Sequence, residues 1–490
     1  MGLAFALPLA ALLAFLCKVL YSSLSNRNGM RKNGCSAPPK LPQKDPVLGL
    51  DEFVKWARAM GDGSIIRMFR QRHEKLGKTF QGVMLGTNQI YTMDSKNIQT
   101  VLALDFDSYG LEPLRGGVGE YLVGKGIQTS DGPFHKYSRS LVRPTFARNN
   151  FANFASLQRH VDEFMGHIPR DSSTFDIQPL LQRLFLDEGT EFLFGESAKS
   201  LSPESPQEMN EFLNAHEYAM RGLSIRLQLG KTLQVLHQDK KWFECCRVIH
   251  RFLDRHVYRA LELQEMRDKS VLLHEMARVT RDPLDLRNQI FHIFFDVKKN
   301  ISTIVSNVFF NLSRHPKAWQ KLRAEVLEIG DDELTVDVLK SKIYLRWVVN
   351  ETFRIMPLAW ATARLSLRDT LLPHGGGPKG TEPIFVPKGT RILVNWAALH
   401  MDRDYWGDDV EEWRPERWQD KKPTWEFLPF SGGPRICVAQ QLALSQAYYV
   451  IVRLMREFKN IESRDSRPFD TTTRLGVSNK NGVKIVLTPA

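Results

Sequence analysis

A mainly α-helical fold with a smaller β portion, built as one large domain, is what this sequence predicts. Three observations carry that reading. Apolar residues recur at helical spacing, with short loops, from about residue 93 to 360. The period then shifts towards strands between Arg364 and Asn395. A long helical stretch over about 440–457 is followed by strand-like Gly482-Val-Lys-Ile-Val-Leu487.

In chain order, residues 51–76 are mixed in polarity and compatible with helix. Thr79 to Tyr91 reads as a hairpin of β-prone residues around a Gly86-Thr87-Asn88 turn. Arg115-Gly-Gly-Val-Gly119 interrupts the helical region as a loop. Gly375-Gly-Gly-Pro-Lys-Gly380 is a second loop, set among the strands, and Trp- and Pro-rich sequence fills 401–430. No tandem repeat is visible.

The chain has 490 residues and 42% hydrophobic content, ample for a large core. Gly and Pro, at 32 and 25 residues, are too few for a collagen-like or wholly disordered chain. The formal net charge of +12 fits nucleic acid, an anionic membrane surface or an acidic protein partner. No long Lys/Arg run and no zinc-finger or RNA-binding signature is present, which sets nucleic acid aside. The five cysteines are Cys17, Cys35, Cys245, Cys246 and Cys437. Their spacing gives no disulfide framework, zinc site or iron–sulfur site, and leaves Cys437 standing alone.

Leu3 to Leu20 is apolar except for Lys18, just long enough to span a bilayer as a helix. Basic residues follow it (Arg27, Arg31, Lys32) and none precedes it, which puts the body of the chain on the cytosolic side. Residues 1–22 are therefore expected to be a retained membrane anchor, with a cleaved signal peptide as the competing reading. Residues 23–48 read as a basic, proline-rich hinge, with Cys35 to Pro46 a stiff non-helical connector. Residues 49–490 form the expected catalytic domain.

The chemistry points to Phe430-Ser-Gly-Gly-Pro-Arg-Ile-Cys437-Val-Ala439, just ahead of the 440–457 helix. A cysteine before a helix N-terminus has its thiolate favoured by the dipole and the unpaired N–H groups. Glycines at 432 and 433 allow a tight turn, and close approach of a flat ligand. Arg435 is placed to meet an anionic group. A lone cysteine in such a place is more often buried and inert, so the surrounding pattern decides.

That pattern resembles the heme-binding loop of the cytochrome P450 family, Phe-x-x-Gly-x-Arg-x-Cys-x-(Gly/Ala), carried here by Phe430, Gly433, Arg435, Cys437 and Ala439. The resemblance implies the cytochrome P450 fold and a single large heme-binding domain. It implies heme b with Cys437 as axial ligand, Phe430 beside it, and Arg435 on a propionate; a thiolate ligand favours O–O cleavage. Glu351-Thr-Phe-Arg354 and Arg414-Pro-Glu-Arg417-Trp resemble the family's Glu-x-x-Arg and its later arginine. Glu351, Arg354 and Arg417 are thereby expected to form a buried charged network supporting the cysteine loop. His135-x-x-x-Arg139 stands where the family has Trp-x-x-x-Arg, and Arg364 aligns with a further propionate-facing arginine. The stretches around Pro383, Ala397 and Phe427 resemble the fungal microsomal alkane and fatty-acid hydroxylases and related secondary-metabolite monooxygenases.

The segment Arg287 to Ser302 departs from the family, whose version ends in Ala-Gly-x-Asp-Thr-Thr. Asp296 takes the alanine position and Val297 the glycine; Lys299 replaces the acid and Asn300 the alcohol. The usual small residues permit a local helix distortion, and the acid and alcohol organise proton delivery. Lysine copies a carboxylate relay poorly, and an amide passes no proton as a hydroxyl does. Asp296, Lys299 and Asn300 are the candidate catalytic residues. Two readings stay open: oxygen activation using Asn300 with water or a substrate hydroxyl, or a rearrangement or dehydration that needs no such proton.

The expected substrate is a small to medium hydrophobic molecule, a fungal secondary-metabolite intermediate or else a fatty acid or alkane. Its expected lining comes from Tyr109–Tyr121, the 215–228 region, Phe291, Phe294, Phe295 and the segment after Pro357. No dinucleotide fingerprint is present. The resemblance therefore implies electrons from NADPH through a membrane-bound cytochrome P450 reductase, with cytochrome b5 a second donor, at the endoplasmic reticulum membrane. A heme-binding sensor is the non-enzymatic alternative.

Overall fold

The computed structural model describes residues 24–146, 154–203, 205–263, 271–330, 333–473 and 476–490, without the side chains of 295–298. The expected anchor, residues 1–22, lies outside the described residues. Among those described, no helix is long and apolar enough to cross a membrane.

The body is organised around a 30-residue central helix, Pro283–Leu312. Asp282 caps it, its carboxylate accepting from the backbone N–H of Leu284 at 2.9 Å, and Pro283 fills the first helical position. Packed against it are helices Ile177–Phe194, Lys240–Glu262, Ile343–Ile355 and Gln440–Glu457. Ile177–Phe194 buries Leu181, Leu184, Phe185, Leu186 and Leu193, so it runs through the core. It stops at Gly195, whose φ of 78° a side chain would disfavour.

A five-stranded sheet takes the order Thr79–Met84, Thr87–Thr92, Arg391–Val394, Thr362–Ser366, Tyr109–Gly110. Every pairing is antiparallel except that of Thr87–Thr92 with Arg391–Val394. A three-stranded sheet joins Phe175–Asp176, Lys484–Pro489 and Phe458–Ser463. The first hairpin turns one residue earlier than the sequence suggests. Leu85 and Gly86 make the turn at φ 49° and 69°, and Thr87 and Asn88 pair with Met84 and Val83. Two positive-φ residues match the twist of the flanking strands, which overrides the Gly-Thr-Asn signal.

The segment expected as a hinge is helical over residues 24–32, and its proline-rich part is docked. Leu41 donates its N–H to the Gln81 carbonyl at 2.7 Å, and Gln81 donates to Pro39 at 2.8 Å. Gln43 binds Val83 through both ends of its amide. Prolines lack donors, yet their carbonyls and neighbours pair with the edge strand Thr79–Met84, so residues 36–43 are fixed to the body.

The centre of the charged packing is Glu351, on helix Ile343–Ile355, fully buried. Its carboxylate accepts from Arg354 Nε at 2.9 Å and Nη2 at 2.8 Å, and from Arg417 Nε at 3.3 Å. It also takes the Trp418 indole N–H at 3.0 Å and the Arg414 backbone N–H at 3.0 Å. Arg354 then donates to the carbonyls of His400, Val410 and Glu412. His400 accepts the Leu428 N–H at Nε2, 2.9 Å away. A continuous set of bonds thus runs from helix Ile343–Ile355 to the residues that lead into Phe430. Trp418 and His400 belong to this set, although the sequence reading singled out only the three charges.

Two stability predictions follow from these burials. Glu351→Gln leaves the buried Arg354 guanidinium without its counter-charge, while Arg417 keeps Asp409 at 2.6 Å, and is expected to cost about 3–5 kcal/mol. The denaturant midpoint of the full chain reads it, and an unchanged midpoint would refute the arrangement. Burial, the leading cause at each, pushes the pKa of His73, His256 and His292 down to about 4, and that of His400 to about 3. The unfolded chain takes up protons from about pH 6.5 downwards that the folded chain does not. Stability is therefore fully present above about pH 6.5 and is lost as pH falls towards 4. Unfolding at pH 5 is expected to show a lower Tm than at pH 7, with net proton uptake measurable by calorimetry in two buffers.

Candidate heme site

Cys437 sits three residues ahead of the Gln440–Glu457 helix, with Ala439 as its N-cap. The loop before it is closed by its own backbone: Cys437 donates its N–H to the Phe430 carbonyl at 3.1 Å, and Ile436 donates to Gly433 at 3.0 Å. Ser431 and Gly433 take φ of 64° and 69°. A Cβ at Gly433 would collide with the Leu102 carbonyl oxygen. This glycine does not line the cavity; it seats the cysteine loop on a π-turn at Thr100–Leu104, an element the sequence reading did not anticipate. Phe430 packs edge-on against Phe353 of the Ile343–Ile355 helix, ring centres 5.2 Å apart.

The Cys437 side chain is exposed, into a cavity of about 420 Å³. Pro429 to Ser431 and Arg435 to Ala439 form one wall, continued by Leu442 and Ala443. Ile293, Asn300, Ile301 and Ile304 of the central helix form another. Leu358, Ala359, Ala361 and Thr362 close a third side, as expected of the segment after Pro357. The 215–228 region, Phe291 and Phe294 do not line it. Phe294 turns away from the cavity to pack against Phe212 and His216, and Phe291 lies against His216, because positions 293, 300, 301 and 304 hold the cavity-facing stripe.

Cations gather on this cavity, Arg115, Arg139, Arg364 and Arg435, with His135 beside them. Arg364 is buried, and burial, then Arg115 and Arg435, push its pKa down to about 9. Burial also lowers Arg435, while its ion pair with Asp131 opposes the shift. His135 is held neutral, its pKa pushed to about 4 by burial and then by Arg435 and Arg139. Arg139 donates to the Ile436 carbonyl at 2.8 Å, and the sulfur of Cys437 favours its charge. The Nε groups of Arg364 and Arg435 are buried with no hydrogen-bond partner. Buried N–H groups of this kind want acceptors, and clustered guanidiniums want anions. A flat dianion with two carboxylates at its edge, and a metal that takes a thiolate, fits this donor set. Heme is such a group.

The sequence reading missed two polar groups on this wall. Arg115 lies within the expected Tyr109–Tyr121 lining, but the sequence offers it as the start of a glycine loop and does not single out its charge. Glu188, on helix Ile177–Phe194, lines the cavity with Phe185 and Phe192. It accepts from Gln446 at 3.0 Å and Ser156 at 2.8 Å, and burial raises its pKa. A carboxylate inside so apolar a helix was the available signal.

The central helix is α-helical without interruption through the departing segment. Asn300 lines the cavity. Lys299 is half-buried on a neighbouring face, its ammonium 3.8 Å from where a Cβ of Gly476 would stand. The side chain of Asp296 lies outside the described residues. The hydroxyls of Ser302 and Thr303 both donate to the Lys299 carbonyl, at 2.9 and 2.7 Å. They are bonded back onto their own helix.

Comparison with known proteins agrees with this geometry. The family profile described as Cytochrome P450 matches residues 39–486. Cytochrome P450 monooxygenase apdE of Emericella nidulans is 39% identical, over 93% of this chain and 90% of that protein. Cytochrome P450 monooxygenase iccC of Talaromyces variabilis is 35% identical, over 97% and 96%. With a thiol, a cation edge and an apolar cavity brought together on a helical body that the family profile covers nearly end to end, the chain belongs to the cytochrome P450 family of heme–thiolate monooxygenases.

Proposed function

We propose that Cys437 would ligate the iron of a bound heme, and that the chain oxygenates a hydrophobic secondary-metabolite intermediate of a fungus. The observation that carries this is one cavity holding the Cys437 thiol, the unpaired Nε groups of Arg364 and Arg435, and walls of Ile, Leu, Ala and Phe. Arg364 and Arg435 receive the two carboxylates, with Arg115 adding positive potential. His135 lines the same cavity as Arg435 and Arg139, whose charges it feels, and offers a ring N–H there. Arg139 stays cationic beside the thiolate and steadies the loop through the Ile436 carbonyl. Phe430 and Gly433 fix the loop against Phe353 and Leu102. Glu351, Arg354 and Arg417 hold the supporting segment and touch neither heme nor substrate.

Heme held here would supply reductive cleavage of O2: with two electrons and two protons, one oxygen atom would enter a C–H bond and the other would leave as water. The chain's own part is to exclude bulk water and to place a polar group over the reacting centre. Asn300 is that group. Its amide donates and accepts hydrogen bonds but hands on no proton. Because the Ser302 and Thr303 hydroxyls are bonded to the Lys299 carbonyl, protons reach the cavity through water or a substrate hydroxyl that Asn300 orients.

The electrons come from NADPH through a cytochrome P450 reductase, with cytochrome b5 as a second donor. A net charge of +12 suits an acidic redox partner. Residues 1–22 anchor the chain in the endoplasmic reticulum membrane with the body in the cytosol, a reading supported by the apolar Leu3–Leu20 run and the basic residues after it. The fungal sources of the relatives support the substrate's origin.

Cys437→Ser is expected to abolish the carbon-monoxide absorption band of a thiolate-ligated heme and the NADPH-driven oxidation; a retained band would refute the ligand assignment. Asn300→Ala is expected to leave that band unchanged. It is also expected to raise hydrogen peroxide released per NADPH consumed by roughly tenfold, the scale of one lost orienting hydrogen bond of about 1.4 kcal/mol. Unaltered coupling and product would make Asn300 a passive residue.

A further inference from the structure

The loop from Val123 to Asp131 is fastened on two sides. On one side it meets His292 of the central helix. The His292 ring places Nε2 3.0 Å from the Val123 carbonyl and Nδ1 3.4 Å from the Gln128 backbone N–H. Those partners assign the proton to Nε2, which donates, while Nδ1 accepts. The Gln128 side chain donates to the His292 carbonyl at 3.0 Å. Two glycines let the loop lie this close: a Cβ at Gly126 would collide with the His292 ring, and one at Gly124 with Asn288, one helical turn earlier. Burial holds the ring neutral, as this bonding requires.

On the other side the same loop meets the cysteine loop. Arg435 donates to the Ser130 carbonyl at 2.6 Å and pairs with Asp131. Between the two fastenings, Ile127 and Gln128 line the cavity. Neither residue belongs to the central helix, so their distance from the reacting centre is set by what holds their backbone.

We propose that His292 is a positioning residue that sets substrate specificity, by fixing the Ile127–Gln128 edge of the cavity through hydrogen bonds to both ends of the 123–128 segment. The inference rests on the heme–thiolate reading. His292 touches neither heme nor substrate; it decides how much room the edge leaves. Its loss loosens the wall without altering the thiolate ligand, so large and small ligands respond differently.

The test uses the full-length, heme-loaded chain and His292→Phe, which keeps a ring and removes both ring hydrogen bonds. Two nitrogen ligands, imidazole and 4-phenylimidazole, serve as probes of small and large size, read by the shift of the heme absorption band. Backbone amide exchange over 123–128 is expected to rise about tenfold, about 1.4 kcal/mol of lost protection. The ratio of the two dissociation constants is expected to move by about fivefold or more, with imidazole itself changing less than about twofold. Gly126→Ala wedges a methyl group against the ring and is expected to move the same readouts. It carries the test if His292→Phe does not load heme. Unchanged exchange, or an equal change for both probes, overturns the proposal. A wild-type holoenzyme lacking the thiolate carbon-monoxide band overturns the heme–thiolate reading instead.

Discussion

The Glu351 carboxylate is the constraint on which the rest of the site depends. It is fully buried and accepts five hydrogen bonds, three of them from two guanidinium groups. A carboxylate so placed is tolerated only because Arg354 and Arg417 supply its counter-charge and the remaining donors replace water. The donors come from Arg354 on its own helix and from Arg414, Arg417 and Trp418, more than sixty residues later. Irregular sequence over 401–430, with little periodic structure of its own, is thereby given a single path. Through His400 and the Leu428 N–H, that path ends at the entry to the cysteine loop.

A second constraint acts from the opposite sign of charge. Arg364, Arg435 and Arg139 are each shifted towards the neutral form chiefly by burial, and they repel one another. Asp131 answers part of that charge and the sulfur of Cys437 another part. The unpaired Nε groups of Arg364 and Arg435 mark where acceptors are still wanted. The charged knot at Glu351 is complete without any ligand, whereas the cation edge is completed by one. One is therefore a folding device and the other a binding device, although both are built from arginines.

How much of this could be read from sequence follows the range of the interactions. The Gln440–Glu457 helix was legible to the residue because its apolar spacing is a local property. The loop from Phe430 to Ala439 was legible because its turn, its cysteine and its helix start are adjacent in the chain. Glu351 and Arg354 were legible as an i,i+3 pair. Trp418 and His400 were not, because their value lies in hydrogen bonds to residues 67 and 28 positions away. Arg115 falls in the Tyr109–Tyr121 stretch expected to line the cavity, but nothing local singles out its charge from the glycine-rich loop around it. The hinge was misjudged for a similar reason: proline disfavours helix, but it does not say which strand will take up the neighbouring backbone groups.

The central helix is where legibility and chemistry part. Its departure from the family's small and hydroxyl-bearing residues was plain, but the consequence depends on three-dimensional facts. The helix remains α-helical across the departure. Ser302 and Thr303, the nearest hydroxyls, are drawn back to the Lys299 carbonyl. Among the described side chains, Asn300 is the polar one that this helix presents to the cavity, beside Ile293, Ile301 and Ile304. His292 lies eight residues earlier, about 12 Å along the axis. On an unbroken helix that separation cannot vary. The ring that fixes one edge of the cavity and the amide that faces its interior are thus held in one register. On the proposed reading, a substrate seated against Ile127 and Gln128 meets Asn300 at a distance set by the His292 fastening and the helix together, so that proton supply would be a property of the seated substrate and its water rather than of a flexible relay.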